Sequence, residues 1–243
     1  MRQWSEQARA QGATPTGVAA VPAATVVLLR DGSTGLEVLL ARRSSQLAFH
    51  GGAWVFPGGR IDPDDYDETG DVALAARRAA AREAREEAGL HVDADVLVHV
   101  SNWTTPEISP KRFATWFFAG PVAGGEEQAD GSETDELRWF RPGDALDARA
   151  AGDIELAPPQ YVTLLELCEF VDVDAALTAI ASMPPIDYTP RFLFLDGGAA
   201  VCLYDGDVGY DDETRLEEPG PRHRLVMEPD GWVYVTAAGE MRR

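Results

Sequence analysis

Glu83, Glu86 and Glu87 follow directly on Arg82 and stop just short of Gly89, with the turn Phe56-Pro57-Gly58-Gly59 upstream. On a helix, spacings of three and four put the three carboxylates on one face, within about 100° of arc. Like charges placed this way repel and destabilise the helix. A divalent cation, or a dense salt-bridge network, relieves that repulsion. Hard cations such as magnesium take oxygen ligands and suit phosphate chemistry. The cluster therefore points to a metal site that handles phosphates. Arg82 lies four residues before Glu86, the spacing at which an arginine pairs with a carboxylate and orients it. Gly58 and Gly59 allow both a tight turn and close approach of an ion to the backbone.

These groups need a helix to carry the acids and a sheet to hold the turn. The helix is expected over Val72 to Ala88. Its many alanines give high propensity and a slim profile that packs close to a sheet. Asp71 or Thr69 is placed to cap its start, and Gly89 to end it in the left-handed conformation. Val21 to Arg30 and Leu36 to Ala41 read as a hairpin around Asp31-Gly32-Ser33-Thr34-Gly35, and Ala53 to Phe56 as a short strand that delivers the turn. Further strands are expected at His91–Val100, Phe113–Ala119 and Leu137–Phe140. Pro158 opens a helix with Tyr161, Leu164, Leu165 and Cys168 inward, and Asp172 or Asp174 caps another that runs to Met183. Beyond Pro184, four short strands are expected at Phe192–Leu195, Ala200–Tyr204, Arg224–Met227 and Trp232–Thr236, with turns at Asp196-Gly197-Gly198 and Asp230-Gly231.

The balance of 21 basic and 41 acidic residues leaves a net charge of 21 − 41 = −20. Binding to a nucleic-acid backbone is thereby disfavoured, because it needs Lys and Arg to displace counterions. The same charge repels an anionic substrate unless a bound cation offsets it locally. No apolar stretch is long enough to span a membrane. Residues 1–15 are polar and lack the apolar core of a signal peptide, so a cytoplasmic location is expected. Cys168 and Cys202 sit in apolar runs and read as core residues in a reducing compartment. The histidines His50, His91, His99 and His223 show no metal-ligand spacing.

The run Arg82-Glu83-Ala84-Arg85-Glu86-Glu87-Ala88-Gly89-Leu90 resembles the second half of the Nudix box, G-x5-E-x7-R-E-U-x-E-E-x-G-U, with U a bulky aliphatic reduced here to Ala84. The resemblance implies an α/β fold: a Nudix-type α/β/α sandwich with a mixed sheet over 16–170, after an N-terminal arm at 1–15. A helical and β-rich extension fills 171–243. It implies Mg2+- or Mn2+-dependent hydrolysis of a small-molecule diphosphate and is compatible with a homodimer. Carried over by position, Glu83 and Glu87 are metal ligands and Gly58 a backbone ligand. Glu86 is a further ligand or the base for the attacking water. The loop before Leu137 supplies an extra glutamate in many such proteins; Glu133 fits first, Glu136 second and Glu107 less well.

The first half of the box departs from the pattern. Gly59 and Arg82 are 82 − 59 = 23 apart where the pattern has fourteen, so nine residues are inserted within an acidic stretch. Counting forward from Gly59 puts the box's first glutamate at Asp65, counting back from Arg82 puts it at Leu74, and Asp65 or Asp71 is placed to substitute. Upstream, Leu39, Leu40, Arg43, Ser44, Gly52 and Phe56 to Gly59 are similar to the extra motif of the coenzyme A diphosphatase branch, although its second arginine is Ala48 here. Arg43, Lys111 and Arg112 are the substrate-phosphate candidates, and for the last two a surface pair at a strand entry is an equal alternative. Trp54, Trp103 and Tyr161 are apt for stacking on a base, with core packing as the default. The rival functions are hydrolysis of nucleotide sugars, dinucleotides or ADP-ribose, and non-catalytic nucleotide sensing on the same fold.

Overall fold

The computed structural model describes residues 16–45, 51–195 and 198–242. The described residues form two compact units, one of 21–45, 51–103 and 113–186, the other of 16–20, 104–112, 187–195 and 198–242. The first unit thus runs past residue 170, to Ile186. The arm expected at 1–15, Ala48, His50 and part of the Asp196-Gly197-Gly198 turn lie outside the described residues.

The first unit is built on β1 (Val21–Gly32), β2 (Gly35–Arg43), β3 (Trp54–Val55) and β4 (Gly58–Arg60), followed by α1 (Val72–Ala88). Then come β5 (Leu90–His91), β6 (Val98–Thr104), β7 (Phe113–Pro121), β8 (Gly124–Gly125) and β9 (Thr134–Phe140). Helices α2 (Pro142–Ala151), α3 (Pro158–Leu167) and α4 (Val173–Ala181) complete it. The main sheet runs β6-β7-β1-β2-β3, with β4 also on β1 and β9 also on β2. The β1 and β7 strands are parallel and the β1–β2 pair antiparallel, so the sheet is mixed. Residues 23–29 of β1 are buried without a break, as a strand covered on both faces requires.

The sheet opens where the site is built. Ala23 to Thr25 of β1 pair with β4, whereas Leu29 to Gly32 pair with β2. The Phe56-Pro57 segment enters between these two stretches, and Val26 N–H donates to Pro57 O at 2.9 Å. Across one face lies α1. Its buried residues are almost all alanine (Ala76, Ala79, Ala80, Ala84, Ala88), packed on Ala24, Val26, Leu28 and Leu39. Small side chains let the helix axis approach the sheet. The Asp71 carboxylate caps its start, accepting from Ala73 N–H at 2.8 Å, and Gly89 ends it at φ 68°. Helix α2 contacts β2, β9 and α3.

Two expectations need correcting here. The strand expected over His91–Val100 is broken into β5, a 3-10 turn at Ala94–Val96 and β6, because the Asp93 carboxylate accepts from Asp95 N–H at 2.9 Å and turns the chain. The α2 helix was not anticipated: Pro142 opens it and Gly152 closes it at φ 83° in a segment with little hydrophobic periodicity.

In the second unit β11 (Arg191–Phe194), β12 (Ala200–Leu203), β13 (Arg224–Glu228), β14 (Gly231–Thr236) and β15 (Gly239–Arg242) form an antiparallel sheet in chain order; β10 (Ile186–Tyr188) precedes them. The four expected strands are present, and β15 adds a fifth from residues without β-branching. No helix among the described residues is long and apolar enough to cross a membrane.

Candidate functional site

The three glutamates leave the last turns of α1 toward β4, and Arg82 ties them together. Its Nε and Nη2 grip both oxygens of Asp65 at 3.2 and 3.0 Å. Nη1 donates to Glu83 Oε1 at 2.8 Å and to Glu86 Oε2 at 2.9 Å. Nη2 also reaches the carbonyl of Arg60 at 3.0 Å, so the guanidinium joins helix, acidic insertion and β4. These partners hold the Arg82 guanidinium well above its ordinary range, with Asp65 the largest cause. The fork geometry of arginine makes this possible; a lysine has no such planar array.

Asp65 is buried, at 6% exposure, and also accepts Asp62 N–H at 2.8 Å. It stands where the forward count from Gly59 put the first glutamate of the box, so the nine extra residues fall between Asp65 and Arg82. They are spent on the end of a 3-10 turn, on Asp67, which pairs with Arg78 at 2.9 Å, and on the start of α1. Asp71, the other substitute considered, is occupied with capping.

Glu87 is fastened differently. Gly58 N–H donates to its Oε2 at 3.0 Å, and the residue is 6% exposed. Burial pushes this carboxyl up to about 8; the Gly58 bond and Arg43 oppose the shift, while Glu83 and Glu133 add to it. Burial likewise raises Glu83, partly offset by Arg82 and reinforced by Glu86 and Glu133. Glu86 is the most open of the three, half exposed. A Cβ on Gly58 would lie 2.6 Å from the Ala24 carbonyl oxygen, which closes that position to a side chain, and one on Gly59 would run into Glu83 Oε1 and displace that carboxylate.

The remaining residues separate clearly. The structure brings Arg43 and Glu133 to this face: both enter the electrostatics of Glu87, and Ser44 N–H donates to Glu133 O at 2.7 Å. Arg43 Nε is buried with no hydrogen-bond partner among the described residues. Glu136 is instead held by Arg42 at 3.3 Å and Arg138 at 2.7 Å, beside a cavity of about 490 Å³ lined also by Trp54, Asp153 and Glu155. Lys111 and Arg112 belong to the other compact unit, where Arg112 bonds the carbonyls of Thr105 at 3.1 Å and Val18 at 2.8 Å. Two donors of Arg112, Nε and Nη1, thus hold backbone carbonyls. Glu107 serves that unit through its carbonyl, which accepts from Thr16. Trp54, Trp103 and Tyr161 are buried in the core. His99 stacks on Trp116 and His223 lies among tyrosines, far from metal-ligand chemistry. Sequence reasoning missed Thr25, whose one signal was a hydroxyl in an otherwise apolar strand.

Among the described residues, no three acidic, His or Cys side chains converge closely enough to enclose an ion. The donor set nonetheless suits a hard cation. Arg82 or Gly58 engages one oxygen each of Glu83, Glu86 and Glu87, and the second oxygen of each takes no hydrogen bond from the described residues. The excess negative charge, the raised carboxyls and a backbone bare of side chains at 58 and 59 are what an oxygen-ligated divalent ion would relieve.

Comparison with known proteins agrees with this geometry. The family model of the NUDIX domain matches residues 20–159. The putative nudix hydrolase 7 of Caenorhabditis elegans is 27% identical over 223 residues, covering 76% of this chain and 74% of that protein. The peroxisomal coenzyme A diphosphatase ndx-8 of the same organism is 40% identical over 90 residues, covering 37% of this chain and only 33% of that protein. The crystal structure of a NUDIX hydrolase from Alicyclobacillus acidocaldarius superposes with a TM-score of 0.61 at 24% identity, over 70% of this chain and 100% of that one.

Proposed function

The chain belongs to the NUDIX family and is a Nudix hydrolase acting on diphosphate bonds; from that premise we propose that it cleaves a nucleoside-linked diphosphate, with coenzyme A or its esters as the leading substrate. The observation that carries the catalytic assignment is the division of labour on α1: Arg82 holds Glu83 and Glu86, and Gly58 holds Glu87.

In this reading Glu83, Glu87 and the Gly58 carbonyl hold Mg2+ or Mn2+, with Glu86 a further ligand or the base. That ion, when bound, neutralises charge on the diphosphate and acidifies water at neutral pH. Arg82 keeps Glu83 and Glu86 aimed in the same direction, so their negative charge is presented as one surface. Glu86, the most exposed, takes the proton of the attacking water if it is not a ligand, with Glu133 the second candidate. The water oxygen forms a new bond to phosphorus and the bridging P–O bond breaks, leaving one phosphate on each product. Arg43 offers its guanidinium to the substrate phosphate, with a buried Nε that has no hydrogen-bond partner among the described residues.

Coenzyme A is supported by Leu39, Leu40, Arg43, Ser44, Gly52 and the Phe56–Gly59 turn, and by the partial likeness to the C. elegans coenzyme A diphosphatase. Ala48, in place of the motif's second arginine, weakens that support, because a cation there could hold a substrate phosphate. The test is a panel of coenzyme A, an acyl-coenzyme A, ADP-ribose, a nucleotide sugar and a dinucleotide with Mg2+ and with Mn2+, products identified by mass. Coenzyme A turned over fastest, into two phosphate-bearing products, is the expected result. Preference for another diphosphate moves the substrate assignment, and tight binding without turnover favours a sensor.

A further inference from the structure

Thr25 is the fifth residue of β1, directly opposite Gly58 in the β1–β4 register, and is 6% exposed. The strand around it, Val21 to Leu29, is otherwise apolar. Its hydroxyl donates to Pro57 O at 2.6 Å and lies 3.2 Å from Phe56 O. A hydroxyl has one proton to give, and the shorter contact takes it. The carbonyl of Pro57 and the N–H of Gly58 belong to one planar peptide unit. The carbonyl end of that plane is held by Thr25 and by Val26 N–H at 2.9 Å, and the N–H end is bonded to Glu87 Oε2 at 3.0 Å. Pro57 has no N–H of its own, so the turn lacks one ladder bond that an ordinary residue would supply. A side-chain hydroxyl takes over that anchoring.

From this chain of bonds we infer that Thr25 is a positioning residue for hydrolysis, acting through the Pro57–Gly58 peptide to orient Glu87. The inference rests on the reading of Glu87 as a metal ligand. Hydrogen bonding to the carbonyl polarises the peptide and strengthens its N–H as a donor, so the two ends are coupled as well as aligned. Valine has the shape without the donor, and serine has the donor without the methyl group that fixes its rotamer.

The test compares Thr25→Val, Thr25→Ser and Glu87→Gln with the natural protein. The measurements are Mn2+ affinity by electron paramagnetic resonance, kcat and KM on the fastest substrate of the panel, and melting temperature. Thr25→Val is expected to bind Mn2+ about tenfold more weakly and to lose kcat by about tenfold or more with KM little changed, the size usual when a residue behind a metal ligand is removed. Thr25→Ser is expected to restore most of both. Natural Mn2+ affinity and kcat in Thr25→Val, with only the melting temperature lowered, overturns the inference. If Thr25→Val does not fold, Thr25→Ala, which adds no bulk, decides on the same readouts. Unchanged Mn2+ affinity in Glu87→Gln overturns the ligand assignment itself, whereas a loss there with none in Thr25→Val overturns only the role of Thr25.

Discussion

Arg224 and Arg82 grip carboxylates with the same Nε and Nη2 fork, and they do opposite things. In the second unit Arg224 holds both oxygens of Asp207, at 2.7 and 2.5 Å, while Gly209 and His223 N–H groups donate to the same carboxylate at 2.9 Å. The aspartate side chain is fully buried and the arginine side chain 9% exposed. One charge meets one charge, and every aspartate oxygen is satisfied. In the first unit a single Arg82 faces Asp65, Glu83 and Glu86 within hydrogen-bond distance, with Asp62 at 3.7 Å, while Glu87 is left to a backbone N–H. Charge there is unbalanced by design of the helix face. A balanced buried pair locks a loop to a sheet; an unbalanced one keeps oxygen atoms available for a cation.

The largest effect should come from breaking the balanced pair. Arg224→Met leaves Asp207 buried without its counter-charge, and removal of one partner of a buried pair costs about 3–5 kcal/mol. Denaturant unfolding, read by hydrogen exchange at β12 and β13 amides, should show the loss there. Unchanged protection would mean that the pair is not holding the sheet. Breaking the unbalanced cluster should show the reverse pattern. Glu87→Gln removes a carboxylate that pays a desolvation cost, so stability without metal should hold or rise. Mg2+-dependent turnover should fall by about 10²–10³-fold, the range seen when a single preorganised group at a transition state is removed. Full activity retained in both Glu87→Gln and Glu86→Gln would refute the assigned roles.

Asp65 tests where the two patterns meet, since it is buried and bidentate like Asp207 yet belongs to the site. Asp65→Asn removes the charge while keeping the shape. Glu83 and Glu86 would then be the only carboxylates within hydrogen-bond distance of Arg82. A drop of about tenfold in kcat is expected, as for other groups that orient a ligand set, with Mn2+ affinity weakened in parallel. A fall in stability with kcat and Mn2+ affinity intact would class Asp65 with Asp207 as purely structural.

Local signals made α1 and its acids legible. An alanine-rich run between Asp71 and Gly89 has one good conformation, and Val72–Ala88 is where the helix lies. The Arg82–Glu86 pairing follows from helix geometry alone. Asp65 was harder, because an insertion makes two counts disagree; only the Arg82–Asp65 contact picks out the forward count from Gly59. The break at Asp93 and the α2 helix depend on side-chain-to-backbone bonds and on cover for β2, which no periodicity records. Thr25 and the grouping of Lys111 and Arg112 with the second unit are long-range facts. They rest on contacts between residues roughly thirty or more positions apart, such as Thr25 with Pro57 and Arg112 with Val18.

The smallest effect is expected in acid, and it again separates the two arginines. Although burial alone would raise it, the Asp207 carboxyl is held below its ordinary value of 3.8 by Arg224 and by the His223 and Gly209 N–H bonds. A carboxyl depressed in the folded state favours folding while it is ionised. Its contribution is fully present above 3.8 and is lost as pH falls through the lower folded value. Protection of β12 and β13 should therefore be flat from neutral pH down to about 4 and decline only below it. In Asp207→Asn that acid-dependent decline should disappear, because the group that titrates is gone. A decline that survives the substitution would place its origin in another carboxylate and remove the electrostatic basis for treating Asp207 and Arg224 as a closed pair.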